Sequence, residues 1–225
     1  EAIKIYQKLI KNLPDRTDIY YDFADCYLRM NKPVDAIEVY NELEKKIGIN
    51  AELSLQKEKI YVRMGKLEKA VEEINKLIAT APDEAKYYGI LAELYAANNR
   101  DVEAVDTYQK ALKMDPDNAY INLSLSEYYR QKRDYAKGFI YLEKAFNSEE
   151  LDIDSKVKIL LSYYVVSEKS EELKSQSLSL CEMLIKAHPK DAKAYSIAGD
   201  FYYRDKKLEK AKEYFSKAVE LDKSK

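Results

Sequence analysis

Apolar residues in this chain recur at the spacing of amphipathic helices. In the segment 85–118, one apolar stripe is formed by Tyr88, Leu91, Ala92 and Tyr95, and a second by Ala104, Tyr108, Ala111 and Leu112. Each set follows the i, i+3, i+4 spacing that places side chains on one face of a helix. The polar stretch 97–101 separates the two stripes, and Pro116 disfavours helix in the residue before it. The pattern predicts an antiparallel pair of helices joined by a short turn.

The same pattern returns along the chain with a period of 34 residues. A tyrosine ladder consists of Tyr27, Tyr61, Tyr95, Tyr129, Tyr163 and Tyr202, with gaps of 34, 34, 34, 34 and 39 residues. A ladder of small residues with the same period consists of Ala2, Ala36, Ala70, Ala104, Gly138, Ser177 and Ala211. Periods of 20 to 50 residues are typical of solenoid proteins, in which each unit packs on its neighbours. The ladders therefore predict a helical repeat protein.

The pattern resembles the tetratricopeptide repeat (TPR) family over almost the whole chain. The residues that carry the resemblance in 85–118 are Tyr88, Leu91, Ala92, Tyr95, Ala104, Tyr108, Ala111 and Pro116. The resemblance implies an all-α fold, a right-handed superhelix (α-solenoid) of antiparallel helix pairs with a concave groove. The expected units of one solenoid domain are 17–50, 51–84, 85–118, 119–152, 153–191 and 192–225. Residues 1–14 are expected to be the second helix of a truncated repeat, because the chain begins inside a helical pattern.

The second unit departs from the pattern at three apolar or small positions. These positions hold Ser54, Lys57 and Glu58. One interpretation is a small register shift, with packing taken over by Leu53, Ile60 and Tyr61. The alternative is that Glu58 is a buried acid that faces a ligand. The register shift is favoured because isolated buried acids are rare.

The fifth unit has 39 residues, five more than the others, with the surplus around 167–172. Ser170 is predicted to cap a helix whose first turn holds Glu171 and Glu172, as the helix dipole favours. We expect a longer turn or longer helices there. The surplus is either a partner-contacting protrusion or bend, or an insertion that the surface tolerates. It also predicts a weak point in cooperative unfolding.

Composition excludes several classes of function. The net charge of −2 and a pI near 5.8 disfavour nonspecific nucleic-acid binding. The longest run of apolar residues is four, too short for a membrane span. Cys26 and Cys181 are read as small core residues, and His188, the only histidine, as a surface or helix-end residue. We expect no cofactor, no metal site and no enzyme built from this chain alone.

The resemblance assigns a candidate partner-binding groove to the first helix of each unit. The candidates are Tyr21, Asp22, Asp25, Arg29, Gln56, Lys59, Arg63, Lys86, Glu93, Glu127, Arg130, Tyr164, Tyr203 and Arg204. The arginines and tyrosines among them form either a recognition surface rich in hot-spot residues or cations placed at helix C-termini by the dipole. The clamp with which some members of the family bind a terminal carboxylate is not expected, because no frame of three units matches more than one of its positions.

The predicted function is that of a non-catalytic scaffold that binds a peptide or partner protein in the groove. One alternative is a helper region of a longer enzyme or envelope-assembly protein, and a less favoured one is an RNA-binding helical repeat. Self-association through the N-terminal helix is also possible. The excess of Lys over Arg, with much Tyr, Ile and Asn, indicates an AT-rich and bacterial genome. The compartment is then either the cytoplasm or the cell envelope, and the sequence does not choose between them.

Overall fold

A computed structural model describes residues 1–166 and 170–222, with the side chains of 165 and 166 outside that description. Over these ranges the regular structure consists of thirteen α-helices and contains no strand. The helices are α1 (Ala2–Asn12), α2 (Thr17–Arg29), α3 (Pro33–Ile47), α4 (Ala51–Arg63), α5 (Leu67–Thr80), α6 (Ala85–Ala97), α7 (Asp101–Met114), α8 (Ala119–Gln131), α9 (Tyr135–Asn147), α10 (Ile153–Val166), α11 (Glu171–Ala187), α12 (Ala192–Arg204) and α13 (Leu208–Asp222). The chain divides into two compact units, unit 1 (Glu1–Met114) and unit 2 (Asp115–Lys225).

Unit 1 is an array of antiparallel helix pairs. Helices α2 and α3, α4 and α5, and α6 and α7 pack as pairs, and α1, α3 and α5 each also pack against the next helix along the chain. Tyr20, Phe23 and Tyr40 belong to one buried cluster, and Ile74 and Leu91 to a second. The apolar stripes predicted from the sequence therefore face one another inside this unit.

The turns within the pairs share one backbone conformation at the predicted period. The residues with positive φ in these turns are Asn31, Gly65, Asn99, Arg133 and Lys206, with φ between 56° and 68°. The following residue donates its N–H to the carbonyl of the ladder tyrosine, as Lys32 does to Tyr27 at 2.9 Å and Lys207 does to Tyr202 at 3.0 Å. Together with the shorter bond from the positive-φ residue, this is a Schellman motif, which satisfies carbonyls at the helix end.

The small residues of the pattern sit where helices approach closely. A Cβ added to Gly199 on α12 would lie 2.6 Å from the ring of Phe215 on α13, and one added to Gly138 on α9 would lie 3.1 Å from the Ser126 carbonyl on α8. Ala92 and Ala104 are fully buried. Small residues at these positions therefore allow the paired helices to approach closely.

The register shift predicted for the second repeat (51–84) is wrong. Ser54, Lys57 and Glu58 are all buried on α4, at 0%, 1% and 8% exposure, so the helix keeps the register of the others. Leu53 and Ile60 are buried beside them as predicted. The shift is unnecessary because Lys57 forms ion pairs inside the array, which makes its burial tolerable.

Unit 2 differs from unit 1 at the fifth predicted repeat. The longest of its described helices, α11, has 17 residues, and the Ser170 side chain accepts a hydrogen bond from the backbone N–H of Leu173, so the predicted cap is confirmed. Residues 167–169 of the predicted surplus lie outside the described residues. Helix α9 packs against α8 and α11, and α10 packs against α11 and α12. The longer α11 thus contacts both neighbouring repeats.

The two cysteines have different surroundings. Cys181 is fully buried in the core of unit 2, as predicted. Cys26 is only half-buried, because it lies at the edge of the apolar stripe of α2 rather than within it, so the core prediction is wrong for this residue. Both thiols are free.

Candidate interaction surface

The fourteen candidate groove residues all keep some exposure to solvent. They lie on α2, α4 and α6 in unit 1 and on α8, α10 and α12 in unit 2. The exposed ones are Asp22, Asp25, Arg29, Lys59, Arg63, Lys86, Glu93, Arg130 and Tyr203. The half-buried ones are Tyr21, Gln56, Glu127, Tyr164 and Arg204. Each first helix therefore presents a polar face beside its buried stripe.

In unit 1 the apolar member of this face is Tyr21. Its ring lies 5.6 Å from that of Tyr40 on α3, in a tilted arrangement. Burial first, and then the nearby Glu52 carboxylate of α4, raise the pKa of Tyr21. This phenol therefore stays protonated at neutral pH and presents a hydroxyl donor on a ring that is held by its neighbours.

Two of the candidate arginines are paired with acids of their own helix. The Arg29 side chain lies 2.6 Å from the Asp25 carboxylate on α2, and the Arg130 guanidinium lies 2.7 Å from the Glu127 carboxylate on α8. Both arginines also stand in the last turn of their helices, where the dipole favours a cation. The structure thus supports the helix-end interpretation for these two residues, and their positive charge is largely neutralised locally.

Arg204 and Tyr164 are brought together from two different helices of unit 2. The guanidinium carbon of Arg204 on α12 lies 4.2 Å from the ring centroid of Tyr164 on α10, and an Arg204 N–H donates to the Tyr164 carbonyl. Tyr164 also packs edge-to-face on Phe201, with ring centroids 5.1 Å apart. Of the candidate pairs of arginine and tyrosine, this one is built as a contact between helices, at a distance typical of a cation–π interaction.

A buried cluster of charges in unit 1 was not foreseen from the sequence. The Lys57 ammonium lies 3.1 Å from Glu44 on α3 and 2.9 Å from Glu73 on α5, and Lys76 also contacts both carboxylates. Burial opposes ionisation of Glu44, but hydrogen bonds from Lys57 and Lys76 outweigh it and lower its pKa. The cluster links three helices. The only signal in the sequence was the polar residue at an apolar position of the repeat.

Glu58 follows Lys57 on α4 and is a buried acid. The alternative interpretation of the second repeat (51–84) required such a buried acid. Burial is the main cause that raises the pKa of Glu58, Lys59 opposes the shift, and the Glu93 carboxylate adds to it. Glu93 is exposed on α6 and belongs to the candidate groove. The acid thus lies close to the candidate surface, where a cationic ligand group would favour its ionised form.

The described parts of the chain lack a metal-ligand cluster and a membrane-spanning helix. Within 1–166 and 170–222, no three His, Cys, Asp or Glu side chains gather as a metal-ligand set would. None of the helices in these ranges combines the length and the apolar character of a membrane span. His188 is half-buried, and burial, followed by the nearby Lys156, lowers its pKa.

Paired helices, a period of 34 residues and a repeated turn motif define a helical repeat protein. Family models described as tetratricopeptide repeat match residues 1–48, 59–119, 103–149 and 192–225. These matches cover more than three quarters of the sequence, so the chain belongs to the TPR family. The segment 150–191, which contains the long fifth predicted repeat, lies outside the matched ranges.

Solved structures support the fold. A TPR protein from Parabacteroides merdae has a TM-score of 0.55 at 15% identity, over 98% of this chain and 85% of its own. The C-terminal part of a TPR repeat-containing protein from Cytophaga hutchinsonii has a TM-score of 0.51 at 20% identity, over 89% of this chain and 78% of its own. MamA has a TM-score of 0.41 at 19% identity, over 89% of this chain and 95% of its own. The search of curated proteins gave no match. At these identities the first two likenesses establish the fold.

Proposed function

We propose that this chain is a non-catalytic scaffold that binds a peptide segment of a partner protein on the polar faces of its first helices. The observation that carries the proposal is the exposure of all fourteen candidate residues beside fully buried positions of the same helices. Such a face offers side chains to a partner without disturbing the core of the array. Repeat arrays commonly use surfaces of this kind for binding.

The charges on these faces bear on how a partner is selected. In unit 1, α2 presents two acids and α4 presents two bases, whereas α6 presents one residue of each charge. These residues are Asp22 and Asp25, Lys59 and Arg63, and Lys86 and Glu93. No single sign dominates, so the faces do not act as a field that attracts any polyanion. Selectivity would instead arise from matching individual charges, since like charges placed opposite each other suppress the wrong partners. The small net charge of the chain likewise opposes the RNA-binding alternative.

The proposal is tested with a charge reversal on the first helices and a matched reversal elsewhere. Lys59→Glu combined with Arg63→Glu changes the α4 face, whereas Lys45→Glu combined with Lys46→Glu changes exposed residues at the end of α3 by the same total charge. Circular dichroism first establishes that both variants are folded. Partners are then isolated from the source organism with the unaltered chain, and their affinities are measured with purified components.

We expect the α4 variant to weaken partner binding at least tenfold and the α3 variant to leave it within about twofold. A partner that both variants bind as tightly as the unaltered chain would place the interaction on another surface. If the α3 variant alone lost binding, the second helices would be the binding face and the proposal would be wrong.

A further inference from the structure

An open cavity of about 740 Å³ lies in unit 2 and is lined by residues of α8, α9, α10 and α11. Its apolar wall is formed by Leu123, Phe139, Leu142, Ile159, Tyr163 and Leu173. The volume falls in the range of cavities that bury most of a small ligand, and such cavities are lined mainly by apolar and aromatic side chains. It is larger than one side chain requires, so it has room for several apolar groups.

The fifth repeat, whose helices border the cavity, packs on the preceding repeat differently from the repeats of unit 1. Helix α9 packs against α11, and the two helices of the fifth repeat lie on either side of the space beside it. Gly138 contributes no side chain to the wall, and a Cβ added there would lie 3.1 Å from the Ser126 carbonyl, closer than an ordinary van der Waals contact. The cavity therefore lies where α9 packs against α11, beside a position that adds no side chain to its wall.

The polar rim of the cavity includes two candidate groove residues. Glu127 and Arg130 of α8 both line it, and they are paired with each other at 2.7 Å. The rim also holds Glu172 of α11, an exposed carboxylate whose hydrogen bond is to the Gln176 amide at 3.4 Å. Since the Arg130 charge is already neutralised by Glu127, the rim retains a net negative charge. Burial raises the pKa of Tyr163, so the wall behind the rim also contributes a neutral ring.

We infer that this cavity receives the large apolar side chains of a partner peptide, with a basic residue of the same peptide placed against Glu172. The inference rests on the proposed function and names the chemistry of the partner. Apolar anchors buried in a central pocket and surrounded by polar contacts are the arrangement that dominates the energy of peptide and protein interfaces. The acidic rim selects a cation beside the anchor by charge complementarity.

The test begins with a random-peptide phage library selected on the purified 225-residue chain. Enriched peptides are synthesised, and their apolar anchor is replaced by Trp. Because the chain itself contains no Trp, the emission of the peptide reports burial of the anchor directly. Ser162→Phe, at an exposed position that lines the cavity, fills the space, and Ser216→Phe on α13, a second helix, adds the same group at an exposed position away from it. Glu172→Lys is compared with Glu171→Lys, one residue away and not part of the rim.

We expect enriched peptides to share a large apolar residue next to Lys or Arg, and the Trp emission to shift to shorter wavelength on binding. Ser162→Phe and Glu172→Lys should each weaken binding at least tenfold, whereas both control variants stay within about twofold. Circular dichroism checks the fold of all four. If peptides are enriched but bind Ser162→Phe normally, the cavity assignment is wrong while the proposed function stands. If no peptide is enriched, the proposed function fails and the cavity assignment fails with it.

Discussion

The ammonium of Lys57 on α4 lies 2.9 Å from the carboxylate of Glu73 on α5, and the two side chains are 1% and 6% exposed. Charges removed from water in this way are tolerated only when they are paired and hydrogen-bonded. Glu44 on α3 and Lys76 on α5 complete the set, so each lysine contacts two carboxylates. The pair thus replaces apolar packing at a point where three helices meet.

Removal of the Lys57 charge should destabilise unit 1 strongly. Lys57→Met keeps much of the side-chain volume but leaves Glu73 with Lys76 as its remaining lysine partner, and we expect a loss of about 3 kcal/mol in the free energy of unfolding. Lys69→Met removes an exposed pair with Glu72 and should change the free energy of unfolding far less, because solvent screens that pair. Urea unfolding followed by circular dichroism measures both. Equal losses in the two variants would contradict a structural role for the buried pair.

Glu58 should destabilise the folded chain at neutral pH. Its pKa is raised in the folded state, chiefly by burial, so the native state binds more protons than the unfolded state between the usual value near 4.5 and the raised value. The free energy of unfolding therefore falls as pH rises through that window. Above the raised pKa, the full destabilisation by ionised Glu58 is present. Glu58→Gln is expected to raise the melting temperature at pH 7 and to leave it nearly unchanged near pH 4. The exposed Glu52→Gln on the same helix is the control. A decrease at pH 7 for Glu58→Gln would refute this reasoning.

The opposite pH dependence is expected from Glu182 in unit 2. Its Oε1 accepts hydrogen bonds from the Tyr202 hydroxyl at 2.5 Å, the Tyr214 hydroxyl at 2.7 Å and the Lys210 ammonium at 2.7 Å. Burial opposes ionisation, but these three donors outweigh it and lower the pKa of Glu182. The stabilisation is therefore fully present above the ordinary pKa near 4.5 and is lost as pH falls through the lowered value.

Glu182→Gln should lower the free energy of unfolding by about 1 kcal/mol at pH 7, since the carboxylate is partly exposed and its ion pair is screened. Glu213→Gln, at an exposed position in the middle of α13, should have no measurable effect. Thermal unfolding between pH 3 and pH 8 is the measurement. The difference between the Glu182 variant and the unaltered chain should shrink as the pH falls. A difference that is constant over this range would show that the hydrogen bonds do not depend on the charge.

The periodic part of this structure was predictable because burial repeats with the sequence. Tyr27 and Tyr95 stand at equivalent places, and their carbonyls accept equivalent bonds from Lys32 and Arg100 in the following turns. Lys57 was not predictable in the same way. Its partners lie on α3 and α5, so its burial depends on pairing between repeats that no period reveals.

The cavity in unit 2 also lies beyond what the sequence shows. The five extra residues predicted a bend, a protrusion or a tolerated insertion, but not that α9 would pack against α11. Packing of that kind depends on how α8, α9, α10 and α11 assemble around the cavity, which the repeat period does not reveal. The exposure of the fourteen candidate residues was predictable, because exposure on a helix follows from its period, whereas their role in binding stays a proposal.

The fifth repeat should open before its neighbours in hydrogen exchange. Helices α10 and α11 pack together less extensively than α12 and α13, and Lys156, one of the buried side chains of α10, carries an ammonium whose pKa is lowered by burial. Backbone amides in the described part of α10 should exchange at least tenfold faster than those of α12, because local opening depends on the buried contacts that it breaks. Protection of α10 equal to that of α12 would show that the long repeat unfolds together with the rest of unit 2.

The positive-φ turns predict one substitution that stabilises and one that destabilises. Lys206 has a φ of 59°, a conformation that costs residues other than glycine roughly 1 kcal/mol. Lys206→Gly removes this strain, although the unfolded chain also gains freedom, so we expect a net gain of about 0.5 kcal/mol. At the equivalent turn of unit 1, Gly65 has a φ of 68° and nothing within 4 Å of an added Cβ. Gly65→Ala should therefore destabilise by about 1 kcal/mol through backbone strain alone.

Both turn variants are measured by urea unfolding, with Lys207→Gly as the control for general loss of a lysine near the same turn. That control should destabilise, because residue 207 has no positive φ to relieve, the unfolded state gains flexibility, and the Lys207 ion pair with Asp205 is lost. If Lys206→Gly destabilised as much as the control, the side chain of Lys206 would contribute more than its backbone strain removes. If Gly65→Ala had no effect, a turn of this shape would tolerate a Cβ, and the Schellman geometry would not be what fixes the residue there.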